Sequence, residues 1–158
     1  PQGQLLTQKK VISLSKLKNM TVICGRYEGI DQRVIDNYVD EEVSIGDFIL
    51  SGGEYAAICL IDAISRHLPG TLGNKDSYLK DTFSNGLIKE DVYAKPEIFD
   101  SNKVPEILLS GNHEKIKAWK SEMSLLKTFK KRPDLLKKIK LTKKQKKLLE
   151  EWSSKAIL

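Results

Sequence analysis

Two glycine-bounded loops carry the first chemical signal in this chain. Gly25-Arg26-Tyr27-Glu28-Gly29 follows the apolar run Thr21–Cys24, and Ser51-Gly52-Gly53-Glu54 follows Phe48–Leu50. A helical apolar pattern succeeds each of them, so strand, glycine loop and helix occur twice. Glycines let the backbone pass close to another segment or a ligand, because no Cβ stands in the way. Amides at such a turn and at the start of the next helix form a polar concavity that can hold an electron-rich group. Two such units side by side put both loops at the C-terminal edge of a parallel sheet, where α/β proteins bind ligands. Neither loop matches G-x-G-x-x-G or a Walker sequence, which argues against the usual dinucleotide fold and against an NTPase.

The other candidate groups are less specific. Asp76 and Asp81 lie in the polar stretch Thr71–Ile88, and a loop of that length is usually functional or disordered. Taken alone, either carboxylate reads as a solvated loop acid. Arg66 reads as a cation at a helix C-terminus, favoured there by the dipole. Arg26 and Glu28 read as a local ion pair, and Glu54 as a first-turn acid or a ligand contact. Cys24 and Cys59 sit in apolar runs and read as buried reduced thiols, not a disulfide or a metal site. His113 reads as a turn or helix-start residue and Trp119 as core. No metal-ligand cluster is present.

The elements that must position these groups follow from periodicity. Gln2–Lys10 reads as a polar turn entering a short helix, and Thr21–Cys24 as a strand buried on both faces. Ile30–Tyr38 has helical spacing, with Asp31 near its start. Tyr55–Ile64 is apolar nearly all round, which predicts a buried helix in a core or at a subunit interface. Leu68-Pro69-Gly70 closes it. Tyr93–Glu97 reads as extended and Val104–Leu109 as strand-like. A helix is expected from Glu114 to about Lys130, with Ile116, Trp119, Met123 and Leu126 on one face, broken by Arg132-Pro133. Leu135–Ile139 and Thr142–Trp152 supply two more helices, the last capped by Thr142.

The 158 residues, 40% hydrophobic and 30% charged, suffice for one ordinary core plus a small appendage. The expected division is 1–70, a linker or lid at 71–88, and a basic helical part at 89–158. The net charge of +6 is uneven. Glu114–Lys155 holds 15 Lys+Arg against 5 Asp+Glu, whereas the remainder holds 12 against 16. An acidic body with a basic tail suggests a core plus a nucleic-acid grip, or else a lysine-rich solvated helix face. No secretory pattern opens the chain and no apolar run is long enough to span a bilayer, so a cytoplasmic, membrane-free protein is expected.

Several motifs occur together in fixed order. They are Pro1-Gln2-Gly3, Cys24–Gly29, Asp40-Glu41-Glu42 with Ser44–Asp47, Leu50–Glu54, Leu68-Pro69-Gly70 and Leu108–His113. Over Pro1 to about Trp152 the chain resembles the bacterial tRNA (guanine-N1)-methyltransferase family, TrmD, without that family's N-terminal portion. The resemblance implies an α/β fold of the SPOUT class. In it a parallel sheet carries a deep C-terminal trefoil knot, a rare exception to unknotted topology, and a small all-helical domain follows. It implies S-adenosylmethionine (SAM) held bent by three loops, with contacts from Pro1 and Gly3, from Gly25, Tyr27, Glu28 and Gly29, and from Ile45, Gly46, Asp47, Phe48, Ile49, Leu50, Gly52 and Gly53. Phe48 stands where the family often has tyrosine.

The implied reaction is methylation of N1 of guanosine-37 in tRNA. By the resemblance, Asp81 is the general base, with Asp76 its nearest competitor, and Arg66 stabilises charge at O6. Arg26 and Ser77 are implied RNA contacts, and Lys143, Lys144, Lys146 and Lys147 are the expected phosphate contacts. A homodimer whose base reaches the other subunit's SAM is implied too, as is a need for Mg²⁺ that no residue pattern displays. The alternative expectation is a piece that binds SAM and tRNA without turnover.

Overall fold

The chain enters through a close backbone approach. β1 (Gln4–Leu5) pairs in parallel with β2 (Val43–Ser44), Gln4 opposite Val43 and Leu5 opposite Ser44. The pairing extends outward, with Gln4 N–H donating to Glu42 O at 3.0 Å and Leu6 N–H to Ser44 O at 2.7 Å. Between the two strands lie α1 (Gln8–Leu14) and α2 (Gln32–Tyr38). Thr7 caps α1 by accepting from Lys10 N–H at 3.3 Å, and Asp31 caps α2 by accepting from Arg33 N–H at 2.9 Å. After β2 comes α3 (Glu54–Ser65), which packs on α1. Val11, Leu60 and Ile64 form a small core there, with Leu6, Leu14 and Ala63 against it.

The computed structural model describes residues 1–71 and 82–154. These belong to two units, Pro1–Tyr78 and Leu79–Leu158. In the second unit a hairpin of β3 (Ile98–Phe99) and β4 (Asn102–Lys103) precedes four helices. These are α4 (Glu106–Leu109), α5 (His113–Lys131), α6 (Pro133–Leu136) and α7 (Lys143–Ser154). Asn112 caps α5 through Lys115 N–H at 3.1 Å. Thr142 and Gln145 form a reciprocal capping box on α7: Gln145 N–H donates to Thr142 Oγ1 at 3.2 Å, and Thr142 N–H to Gln145 Oε1 at 2.9 Å. Leu87, Leu125 and Trp152 form the core of this unit, surrounded by Leu126, Phe129, Leu136, Ile139, Leu141, Leu148 and Leu149.

Several expectations need correction. Thr21–Cys24 and Phe48–Leu50 are not strands, and the described sheets are two separate two-stranded pairs. A central strand needs hydrogen-bonding neighbours, and the described contact of this region is one isolated bridge between Arg26 and Gly52. Val104–Leu109 is not a strand either: Pro105 and Glu106 open the short α4, and proline at a helix start removes no needed donor. The second unit is not all helical, since it contains the β3–β4 hairpin. α3 is not buried all round. Leu60 and Ile64 face the core, while Tyr55 and Ile58 are 61% and 62% exposed. Cys59 shares that open side, so it is an exposed thiol and Cys24 a half-buried one.

Candidate functional site

Glu42–Glu54 is the run that gathers the other candidate segments. At its start the backbone of Gly3 lies so close to Glu42 and Val43 that a Cβ on residue 3 would collide with Glu42 C, Glu42 O and Val43 N. At its end Gly53 N–H donates to Gly25 O at 3.0 Å, and a Cβ on Gly53 would stand 3.1 Å from Cys24 Cα. Both contacts are backbone against backbone, so no side-chain movement relieves them. The three loops therefore meet through one continuous stretch.

Within that stretch, Ser44 is buried and closes a tight turn. Its hydroxyl accepts from Gly46 N–H and donates to Gly46 O, both at 3.2 Å. Gly46 has φ 152°, and a Cβ there would meet the Phe48 ring at 2.5 Å. Phe48, Ile49 and Leu50 are exposed beyond it, an apolar ledge beside the polar backbone. Tyr27 is fully exposed at φ 57°, and Gly29 follows at φ 124°.

Arg26 spans the second and third loops. Its Nε donates to Glu54 Oε1 at 2.6 Å, and its backbone bridges Gly52. The hydrogen bond from Arg26 is the main cause that holds the Glu54 carboxyl below its ordinary range, and Glu54's own amide adds to it. Arg26 thus pairs with Glu54 rather than with its neighbour Glu28. The pair is exposed, so its weight lies in geometry more than in stability.

A cleft lined by Gln2, Gly3, Gln4, Asp40, Glu41 and Glu42 lies beside the β1–β2 approach. Glu41 there pairs with Lys10. This cleft contains Gly3 but no residue of the other two loops. Among the described residues no three His, Cys, Asp or Glu side chains stand together as a metal-holding group. No described helix is long and apolar enough to cross a membrane.

Other proteins resemble this chain over most of its length. A family model described as tRNA (Guanine-1)-methyltransferase TrmD matches residues 1–138. The chain belongs to this family. Relatives named tRNA (guanine-N(1)-)-methyltransferase bracket it closely. That of Buchnera aphidicola subsp. Schizaphis graminum is 56% identical over 151 residues, covering 96% of this chain and 58% of that protein. That of Cupriavidus taiwanensis is 48% identical over 160 residues, covering 99% and 62%. That of Blochmanniella pennsylvanica is 52% identical over 159 residues, covering 100% and 62%. The chain spans about three fifths of the length of the curated relatives it matches.

The remaining expected TrmD site residues fall in different places. Arg66 is the exposed residue that ends α3, and beside it His67 Nε2 lies 2.8 Å from Gln8 Nε2 of α1. Asp81, Ser77 and Asp76 lie outside the described residues. Lys143, Lys144, Lys146 and Lys147 are all exposed on the outer side of α7, while Gln145, Leu148, Leu149 and Trp152 turn inward. Lys120 and Lys127 on α5 are engaged with Glu90 at 3.5 Å and Asp91 at 2.5 Å, which sets them apart from the α7 lysines.

Sequence reasoning missed one feature. Ser124 and Thr128, both buried on α5, hold the backbone of Ile88. The available signal was two hydroxyl residues four apart within the expected helix.

Proposed function

We propose that this chain serves the transfer of a methyl group from SAM to N1 of guanosine-37 in tRNA. The observation that carries the reading is the junction of Gly25 with Gly53, which closes two of the three glycine loops on each other beside an exposed apolar ledge. Backbone polar groups held at fixed positions suit the edges of adenine and ribose, and Phe48, Ile49 and Leu50 suit the flat and aliphatic parts of the cofactor. Pro1, Gly3, the Gly25–Gly29 loop and Ile45–Gly53 are the proposed SAM contacts. When bound, SAM supplies an electrophilic methyl on a sulfonium.

Guanine N1 carries a proton at neutral pH, so its lone pair is free for attack only once that proton leaves. Asp81 is the proposed acceptor, a carboxylate acting as general base. Arg66 supplies a guanidinium to the negative charge that develops toward O6. Arg26, oriented by Glu54, and Ser77 are proposed contacts to the RNA. The four α7 lysines bind phosphate, which positions tRNA without reading its sequence. Their affinity should fall steeply with salt. The finer architecture proposed is the SPOUT knot, with a homodimer that covers the open side of α3 and a cytoplasmic location beside the tRNA pool.

The test is methyl transfer to a tRNA transcript with guanosine or adenosine at position 37, using the chain and its Asp81→Asn variant, alongside SAM calorimetry. Transfer only to guanosine-37, abolished in Asp81→Asn with SAM affinity kept, is the expected result. Wild-type turnover by Asp81→Asn would sink the base assignment. A second reading, SAM and tRNA binding without turnover, is favoured by Thr21–Cys24, which joins no strand pairing among the described residues. It predicts saturable SAM binding and no transfer.

A further inference from the structure

Ser44 ends β2 with its side chain where a strand normally buries an apolar group. It is 5% exposed. A buried hydroxyl costs free energy unless it is hydrogen-bonded, and both bonds of this one go to a single residue two positions on. It accepts from Gly46 N–H and donates to Gly46 O, each at 3.2 Å. A local side-chain-to-backbone closure of this kind sets a turn.

The main chain of Ser44 is tied in the other direction. Leu5 stands opposite it in the parallel pair, and Leu6 N–H donates to Ser44 O at 2.7 Å. These bonds come from the segment that leaves Gly3, whose own backbone presses on Glu42 and Val43. Ser44 is thus fixed by the first loop segment through its backbone, and it holds the start of the third through its side chain.

Gly46 passes the constraint on. Its φ is 152°, and the edge of the Phe48 ring fills the place that a side chain at 46 would take: an added Cβ would stand 2.5 Å from Cε1 and 3.0 Å from Cδ1. The ring therefore rests on the Gly46 backbone, and its tilt follows that backbone. Phe48 is otherwise open, 51% exposed. An exposed ring without such a seat samples several rotamers, and ordering it on binding costs affinity. A seated ring avoids that cost.

We propose that Ser44 is a positioning residue for cofactor binding: its buried hydroxyl holds the Gly46 peptide, Gly46 seats the Phe48 ring, and the ring meets SAM in a prepared orientation. The inference rests on Phe48 being a SAM contact, as proposed above. Ser44 is too deeply buried to touch the ligand itself, so its effect passes through Phe48.

The test is a double-mutant cycle on SAM affinity, measured by calorimetry with Ser44→Ala, Phe48→Ala and the two combined. Ser44→Ala removes the hydroxyl and adds no atom. Losing such a hydrogen bond corresponds to about three- to tenfold in an equilibrium constant, and that is the loss of SAM affinity expected for Ser44→Ala. In the Phe48→Ala background the same change should shift affinity by less than about twofold, because no ring is left to seat. If Phe48→Ala binds too weakly to titrate, Phe48→Leu takes its place in the cycle. Hydrogen exchange at the Gly46 amide should speed up in Ser44→Ala while the Gln4 and Leu6 amides keep theirs. Equal losses in both backgrounds would show that Ser44 supports the fold and not the ring, and would overturn the proposal. Parent-like SAM affinity in Ser44→Ala, or in Phe48→Ala, overturns it as well. A parent chain that binds no SAM rejects the cofactor reading and this inference with it, whereas an indifferent Ser44→Ala beside a parent that binds SAM rejects the role of Ser44 alone.

Discussion

The two units of this chain bury their apolar residues to different extents. In the second unit Leu87, Leu125 and Trp152 are surrounded by seven further apolar side chains, and the Phe129 and Trp152 rings stand 6.3 Å apart. In the first unit the buried core is Val11, Leu60 and Ile64, while Val22, Ile23, Ile49, Tyr55, Ile58 and Ile61 remain open. Local backbone contacts do the organising there: Gly3 on Glu42–Val43, Gly25 on Gly53, and Ser44 around Gly46. One unit is held by side-chain burial, the other by close backbone approach. Burial gives stability, and backbone approach gives a shaped surface for a ligand.

The largest test of this contrast is Trp152→Ala. Removing a mostly buried aromatic costs about 3–5 kcal/mol, and denaturant unfolding followed by circular dichroism should show α5–α7 melting early. Thiol reactivity of Cys24 and Cys59 should stay put, because both belong to the first unit. Equal loosening of both thiols would break the distinction between the units.

Gly53→Ala comes next. Its Cβ would press on Cys24 Cα at 3.1 Å and Gly25 N at 3.4 Å, groups that cannot rotate away. Overpacking of this kind costs about 1–3 kcal/mol. The expected readout is at least a tenfold loss of SAM affinity by calorimetry, with melting of the second unit unchanged. SAM binding equal to the parent protein would show that the loop junction does not shape the ligand surface.

The smallest effect concerns Glu54, whose folded carboxyl is held below its ordinary value chiefly by Arg26. A depressed carboxylate contributes stability above its unfolded pKa and loses it as pH falls through the lower folded value. The contribution is therefore intact at neutral pH and fades only in acid, below the ordinary glutamate range. Arg26→Ala should move the Glu54 titration upward in carbon-detected NMR, while Asp31 and Asp134, held low by Arg33 and Arg132, stay where they are. A Glu54 titration that ignores Arg26→Ala would show the pair does not persist in solution.

What could be read in advance follows the range of the forces involved. α5 and α7 were legible because their signals are local: Thr142 as a cap and Arg132-Pro133 as a break. Asp31 at the head of α2 was legible for the same reason. Strand partners were not, because β propensity in Thr21–Cys24 names none, and pairing fell instead to Gln4–Leu5 with Val43–Ser44. In Val104–Leu109 the branched residues masked the helix-start signal of Pro105-Glu106. The glycine loops were recognisable as loops, but only the structure shows which glycine meets which backbone. The partner of Arg26 was equally hidden, since Glu54 lies 28 residues away in sequence.

The open side of α3 brings with it a chemical reporter. Cys59 sits among Tyr55, Ile58 and Ile61 with its thiol exposed, while Cys24, the chain's other cysteine, is half-buried behind Gly53. A thiol reagent applied to the native protein therefore reads two events from one molecule. Fast labelling at residue 59 marks a bare apolar ridge, and slow labelling marks one that something has covered. Labelling at residue 24 reports whether the junction between the two glycine loops stays shut.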